Sequence, residues 1–81
     1  MPATITAEQV EKVVYDALES FGAEPDAISR DAEFKTLDVD SLDLAEMSQI
    51  VNEEFGVKLT SDDVRDIKTV GQAIDLVVAK A

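Results

Sequence analysis

One serine in this chain stands where several kinds of chemistry are conceivable. Ser41 lies in the stretch Leu37-Asp38-Val39-Asp40-Ser41-Leu42-Asp43-Leu44, which is acidic and apolar by turns. A serine acts as a nucleophile only when a base takes its proton. The chain has no histidine and no cysteine. That removes the commonest general base, the commonest zinc ligand, thiolate metal sites, disulfides and a cysteine nucleophile. Lys35 and Lys58 are the nearest bases along the chain, and neither has a motif around it. A bundle of this size also offers little room for a ligand-enclosing cleft. Self-contained catalysis is not expected.

The acids around Ser41 invite a test for calcium. With an EF-hand loop aligned on Asp38, Asp40 falls at the third position, which fits. The fifth position is then Leu42, the sixth is Asp43 where glycine is needed, and the twelfth is Gln49 in place of glutamate. A calcium hand is rejected, and only diffuse divalent binding on charge alone stays open. Two roles remain for this place in the chain. Asp40 or Ser41 can cap the helix that begins here, and Ser41 can be a site of covalent modification.

The elements that must position Ser41 follow from spacing. Thr6-Ala7-Glu8-Gln9 forms a capping box, and Val10, Val13, Val14, Ala17, Leu18 and Phe21 recur at helical intervals before Gly22. This predicts a first helix over about 6–21. Over about 22–40 the period fails. Pro25, Asp26, Ser29 and Asp31 form turns there, while Ile28, Phe34, Leu37 and Val39 are scattered apolar points. A long connection with its own apolar anchors reads as a packed loop, and such loops also serve as crossovers in helical bundles.

A second helix is predicted over about 41–55, ending before Gly56, with roughly 100° of rotation per residue. Leu44, Met47, Ser48, Val51 and Phe55 fall on its inner side, and Leu42, Glu46, Gln49 and Glu53 on its outer side. Leu42 is thus an apolar residue on an acidic face, although isolated exposed leucines are common. Val57 and Leu59 pin a short connector, and Ser61-Asp62-Asp63 opens a third helix with Val64 and Ile67 inward. That helix spans about 61–66. Thr69-Val70-Gly71-Gln72 is a second capping box, followed by Ala73, Ile74, Val77 and Val78 as a core stripe. The last helix spans about 69–79, with Gly71 a weak helix former in its first turn. The predicted fold is all-α, one four-helix bundle domain over residues 1–81 with a long first loop and a short third helix.

Composition narrows the partners. An apolar share of 46% with three Gly and two Pro favours a folded domain over a disordered tail. Lys and Arg number 7 against 18 Asp and Glu, a formal charge of −11. Such a surface repels nucleic acid and anionic membranes and attracts basic protein patches. Met1-Pro2-Ala3-Thr4 shows no basic and apolar leader pattern, and no apolar run reaches membrane-spanning length. A cytoplasmic monomer is expected.

The tripeptide Asp40-Ser41-Leu42 becomes specific in its setting. A long loop, then Leu37-Asp38-Val39-Asp40-Ser41-Leu42-Asp43, then an acidic helix ending Glu53-Glu54-Phe55-Gly56, resembles the acyl carrier proteins. Lys68-Thr69-Val70-Gly71-Gln72-Ala73-Ile74 is similar to that family's start of the last helix, and the likeness runs in order along essentially the whole chain. The resemblance implies that Ser41 receives 4′-phosphopantetheine from coenzyme A through a separate, magnesium-dependent phosphopantetheinyl transferase. The arm's thiol then carries acyl groups as thioesters. It implies further partners with basic docking patches, namely ketosynthase, acyltransferase and other synthase enzymes. Asp40, Leu42, Asp43, Glu46 and Glu53 would form the docking face. By the same resemblance an attached chain would tuck beside the second and third helices, near Ala45, Ile50, Val64 and Ile67.

The residues suit that role on chemical grounds. A carrier needs no base of its own, an anion at a helix N-terminus is favourably placed, and a chain without cysteine leaves the prosthetic thiol without competitors. Charge and Leu42 suit brief docking with fast association. Where primary fatty-acid carriers continue with a Val-Glu-Leu-Val-Met-Ala type of helix, this chain has Ala45-Glu46-Met47-Ser48-Gln49-Ile50-Val51-Asn52. Gln49 and Asn52 favour polyketide or other specialised metabolism over primary fatty-acid synthesis. The Gly-Gly-(His/Asp)-Ser pattern of nonribosomal carriers is not matched by Val39-Asp40. The competing expectation is a small acidic helical adaptor that docks a basic protein without being modified.

Overall fold

Thr6 opens the first helix through a reciprocal pair of hydrogen bonds. Its side-chain oxygen accepts from the Gln9 amide, and Gln9 Oε1 accepts from the Thr6 amide, both at 3.2 Å. In this computed structural model, which describes residues 5–81, helix α1 runs Ala7–Ser20. Residues 1–4, read above for a leader, lie outside the described residues. Val10, Val14, Ala17 and Leu18 are buried, while Val13 and Phe21 from the same expected stripe are half-buried. The helix closes where the Ala23 amide donates back to the Leu18 carbonyl at 3.1 Å, with Gly22 at φ +102°. That turn needs a left-handed residue, which glycine supplies at no steric cost.

The loop that follows contains one 3-10 turn, Pro25–Ala27. Its four apolar points, Ile28, Phe34, Leu37 and Val39, are all buried in the core, as their type and number suggested. The loop is also sewn to the far end of the chain. The Phe34 amide donates to the Lys68 carbonyl at 3.1 Å, the Val70 amide to Ala32 at 3.0 Å, and the Gly71 amide to Arg30 at 2.8 Å. A Cβ at position 71 would stand 2.9 Å from the Arg30 carbonyl oxygen. Gly71, which spacing alone reads as a poor helix residue, is there because the loop backbone lies against it. The Arg30 side chain fastens the same place, with Nη2 at 2.7 Å from Asp75 Oδ1.

Helices α2 (Ser41–Phe55), α3 (Ser61–Asp66) and α4 (Val70–Lys80) complete the bundle. Gly56, at φ +69°, ends α2 with its amide on the Asn52 carbonyl at 2.8 Å. The Thr69–Gln72 box predicted for α4 is present. Helix α3 has a box of its own, between Thr60 and Asp63, one residue ahead of the start read from sequence. Helix α1 packs against α4 and α2, and α3 packs against α2. The four described helices, with no strand among the described residues, give the helical-bundle architecture expected from the periodicity. No described helix is long and apolar enough to cross a membrane.

Candidate functional site

Ser41 is delivered by a turn that sequence periodicity does not reveal. Around residues 33–37 the chain makes a helical turn, with the Leu37 amide donating to the Glu33 carbonyl at 3.2 Å. Asp38 then takes the left-handed conformation at φ +58°, and the Val39 amide reaches back to the Phe34 carbonyl at 3.0 Å. This is the closing geometry seen after α1, built on Asp, one of the few other residues that tolerate it. It turns Leu37 and Val39 inward and sends the chain out at Asp40 in an extended conformation.

Asp40 is the cap. Its Oδ1 accepts from the Asp43 amide at 2.9 Å, and its carbonyl accepts from the Leu44 amide at 3.0 Å. The sequence left open whether Asp40 or Ser41 performs this task, and the geometry assigns it to Asp40. Ser41 is therefore the first residue of the helix proper, exposed, with a hydroxyl not committed to the cap. The amides of Ser41 and Leu42 have no backbone partner among the described residues. Open amides at a helix N-terminus favour an anion on this hydroxyl.

The outer face of α2 carries Leu42, Glu46, Gln49 and Glu53, all exposed as their spacing predicts. Leu42 is 78% exposed and is the one large apolar side chain so displayed among the described residues. Asp40 and Asp43 are joined through the cap, at the end of this face, and Asp43 is half-buried. Glu46, Gln49 and Glu53 also edge a shallow groove toward Ser20 and Phe21 at the end of α1.

On the other side of Ser41 an open cleft of about 600 Å³ lies between α2 and α3. Leu44, Ala45 and Ser48 form its α2 wall, and Leu59, Val64 and Ile67 its other wall. A bundle this small holds such a space because it is open to one side and not enclosed. Ile50 is not part of it, contrary to the expectation from resemblance. Two residues beyond Ser48 on a helix of roughly 100° per residue, it points away and borders a groove with Ser20 and Phe21 at the end of α1. Leu44 and Phe55, expected as core, are half-buried; Met47 and Val51 are the buried members of the stripe.

The α3 wall is held from two directions. Asp63 Oδ2 accepts from the Thr60 amide at 3.0 Å and stands 2.8 Å from Lys80 Nζ at the end of α4. The Lys80 ammonium first, and the Thr60 amide next, hold the Asp63 carboxyl down to about 2. Arg65 lines the cleft and, among the described residues, makes one exposed pair, with Asp62 at 3.4 Å. Among the described residues no group of three or more Asp or Glu side chains is arranged to hold a metal ion.

Comparison with known proteins accords with this geometry. The family described as phosphopantetheine attachment site matches residues 12–77. A curated acyl carrier protein of Zymomonas mobilis is 40% identical over 73 residues, covering 89% of this chain and 90% of that protein. The solved acyl carrier protein of Enterococcus faecalis superposes with a TM-score of 0.79 at 28% identity, over 95% of this chain and 100% of that one. The 3,7-dioxo-octyl actinorhodin acyl carrier protein of Streptomyces coelicolor shares the fold, with a TM-score of 0.73 over 99% of this chain and 94% of that one, at 21% identity. The chain belongs to the phosphopantetheine-attachment family of acyl carrier proteins, which carry acyl groups on a serine-linked 4′-phosphopantetheine for synthase enzymes and catalyse nothing themselves.

Proposed function

We propose that Ser41 is the serine that carries the arm. One observation supports this above the others: α2 begins at Ser41, yet Asp40 does the capping, so the exposed hydroxyl makes no hydrogen bond among the described residues. Once attached, the arm supplies a thiol on which acyl groups ride as thioesters. The protein's own residues hold the attachment point at a helix N-terminus, offer a cleft beside it and present a docking face.

That face consists of Leu42 with Asp40, Asp43, Glu46 and Glu53. A single apolar contact inside an acidic field speeds encounter with basic patches without creating a slow, tight complex. The partners in this reading are the phosphopantetheinyl transferase, a ketosynthase and an acyltransferase. The comparisons give no support to an unmodified adaptor. For cargo, Gln49 and Asn52 on α2 favour a polyketide-type pathway. Reconstitution with a fatty-acid ketosynthase tests this, and efficient extension to long saturated chains would contradict it.

The attachment itself is tested by incubating apo protein with coenzyme A, magnesium and a promiscuous transferase, then measuring intact mass. A gain of one arm, mapped to Ser41, is expected. No adduct, under conditions that load a control carrier, would sink the proposal. In the same assay Leu42→Ala should load more slowly while melting at an unchanged temperature, because its side chain is exposed.

A further inference from the structure

The inner side of α2 has one polar member. Leu44, Met47, Val51 and Phe55 are apolar, and Ser48 stands among them, half-buried. Ser48 borders the cleft beside Ser41, with Leu44, Ala45, Leu59 and Val64 around it. Seven residues separate the two serines, which places them on one face of the helix, two turns and roughly 10 Å apart.

A serine inside a helix commonly bonds to a carbonyl of its preceding turn. Ser20 does so, its Oγ donating to the Ala17 carbonyl at 2.6 Å. Among the described residues the Ser48 hydroxyl makes no such bond. It therefore offers a donor and an acceptor on an α2 wall that is otherwise apolar beyond Ser41, while Thr60, Ser61 and Arg65 line the opposite side. A purely hydrocarbon occupant would cover that hydroxyl without replacing its contact with water, at a cost. An occupant with an oxygen at the right depth would not.

We infer that Ser48 is a specificity-determining residue of the α2–α3 cleft. It favours acyl cargo bearing an in-chain keto or hydroxyl oxygen over saturated cargo of the same length. This rests on attachment at Ser41, which tethers the arm and its cargo beside the cleft. Thr60, Ser61 and Arg65 are the polar groups on the α3 side, whereas Ser48 is the polar group on the α2 wall two turns beyond Ser41.

The test loads holo protein with an octanoyl or a 3-oxo-octanoyl chain in wild type, Ser48→Ala and Ser48→Thr. Alanine favours the helix and threonine restores the hydroxyl at a small cost in helix propensity, so the melting temperature of both variants is read first. Amide shifts of Val64 and Ile67 report occupancy of the cleft, and both cargoes share the same arm, which cancels its own amides. The ratio of oxo to saturated occupancy should fall about fivefold in Ser48→Ala, the size of one net hydrogen bond, and recover in Ser48→Thr. An equal ratio in wild type and Ser48→Ala, or a cleft that neither chain enters, overturns the inference. Intact mass is read before any acyl chain is added. An arm that fails to attach at Ser41 overturns the attachment reading and this one with it, whereas an attached arm whose cargo ignores Ser48 overturns this one alone.

Discussion

Along α4, Val70, Gly71, Ala73, Ile74 and Val77 are buried, whereas the longer α2 buries only Met47 and Val51 and α3 buries nothing within its span. The side of the bundle built from α1, α4 and the long loop is closed. Val10, Val14, Leu18, Ile74 and Val77 are buried there, and the loop adds Ile28 and Phe34. The side built from α2 and α3 is left half-covered around the cleft at Ser41. The difference separates two tasks: one half supplies the stability, and the other keeps a space that ordinary close packing would have filled.

Substitutions on the two sides should therefore cost unequal amounts. Ile74→Ala, in the closed half, is expected to lose about 2–5 kcal/mol, a large share of what a small domain has. Gly71→Ala comes next. Helix propensity alone would favour alanine, but its Cβ would press on the Arg30 carbonyl at 2.9 Å. A net loss of about 1–3 kcal/mol in chemical denaturation is expected, and a gain in stability would show that the loop yields freely. Val64→Ala, on the cleft wall, should cost at most about 1 kcal/mol, because the methyls it removes already border open space.

Among the described residues one charged tether ties the open half to α4, and its contribution depends on pH. Asp63 is lowered in the folded state from 3.8 to about 2. A lowered carboxyl contributes stability that is present above the unfolded value and is lost as pH falls through the folded one. Wild type should thus melt above Asp63→Asn at pH 5 to 7, and the two curves should converge as the pH drops from about 4 to about 2. A constant gap over that range would mean the Lys80 pair does not hold the α3 wall.

What could be read from sequence divides along physical lines. The boxes Thr6–Gln9 and Thr69–Gln72, the stops at Gly22 and Gly56, and the exposure of Leu42 depend on spacing of a few residues, and spacing was enough. The Thr60–Asp63 box escaped because Asp, shorter than Glu or Gln, stands at its third position. The left-handed Asp38 carries no glycine to mark it. Gly71 acquires its reason only from Arg30, forty-one positions away in the chain, and no local rule links the two. Ile50 was misplaced because family likeness, and not its angle on the helix, assigned it to the cleft. Near the cleft, the position of Ser41 at the start of α2, between Asp40 and Asp43, was legible. The division of labour between Asp40 and Ser41 was not, since two adjacent oxygens can each reach the same amides.

That division is the most direct test of the account. Ser41→Ala and Asp40→Ala are compared for melting temperature and for loading by the transferase. Asp40→Ala should lose about 1 kcal/mol with the cap and still load to completion, if more slowly. Ser41→Ala should melt with wild type and gain no mass at all. A Ser41→Ala protein that still takes up the arm, or an Asp40→Ala protein as stable as wild type beside a destabilised Ser41→Ala, would contradict the account.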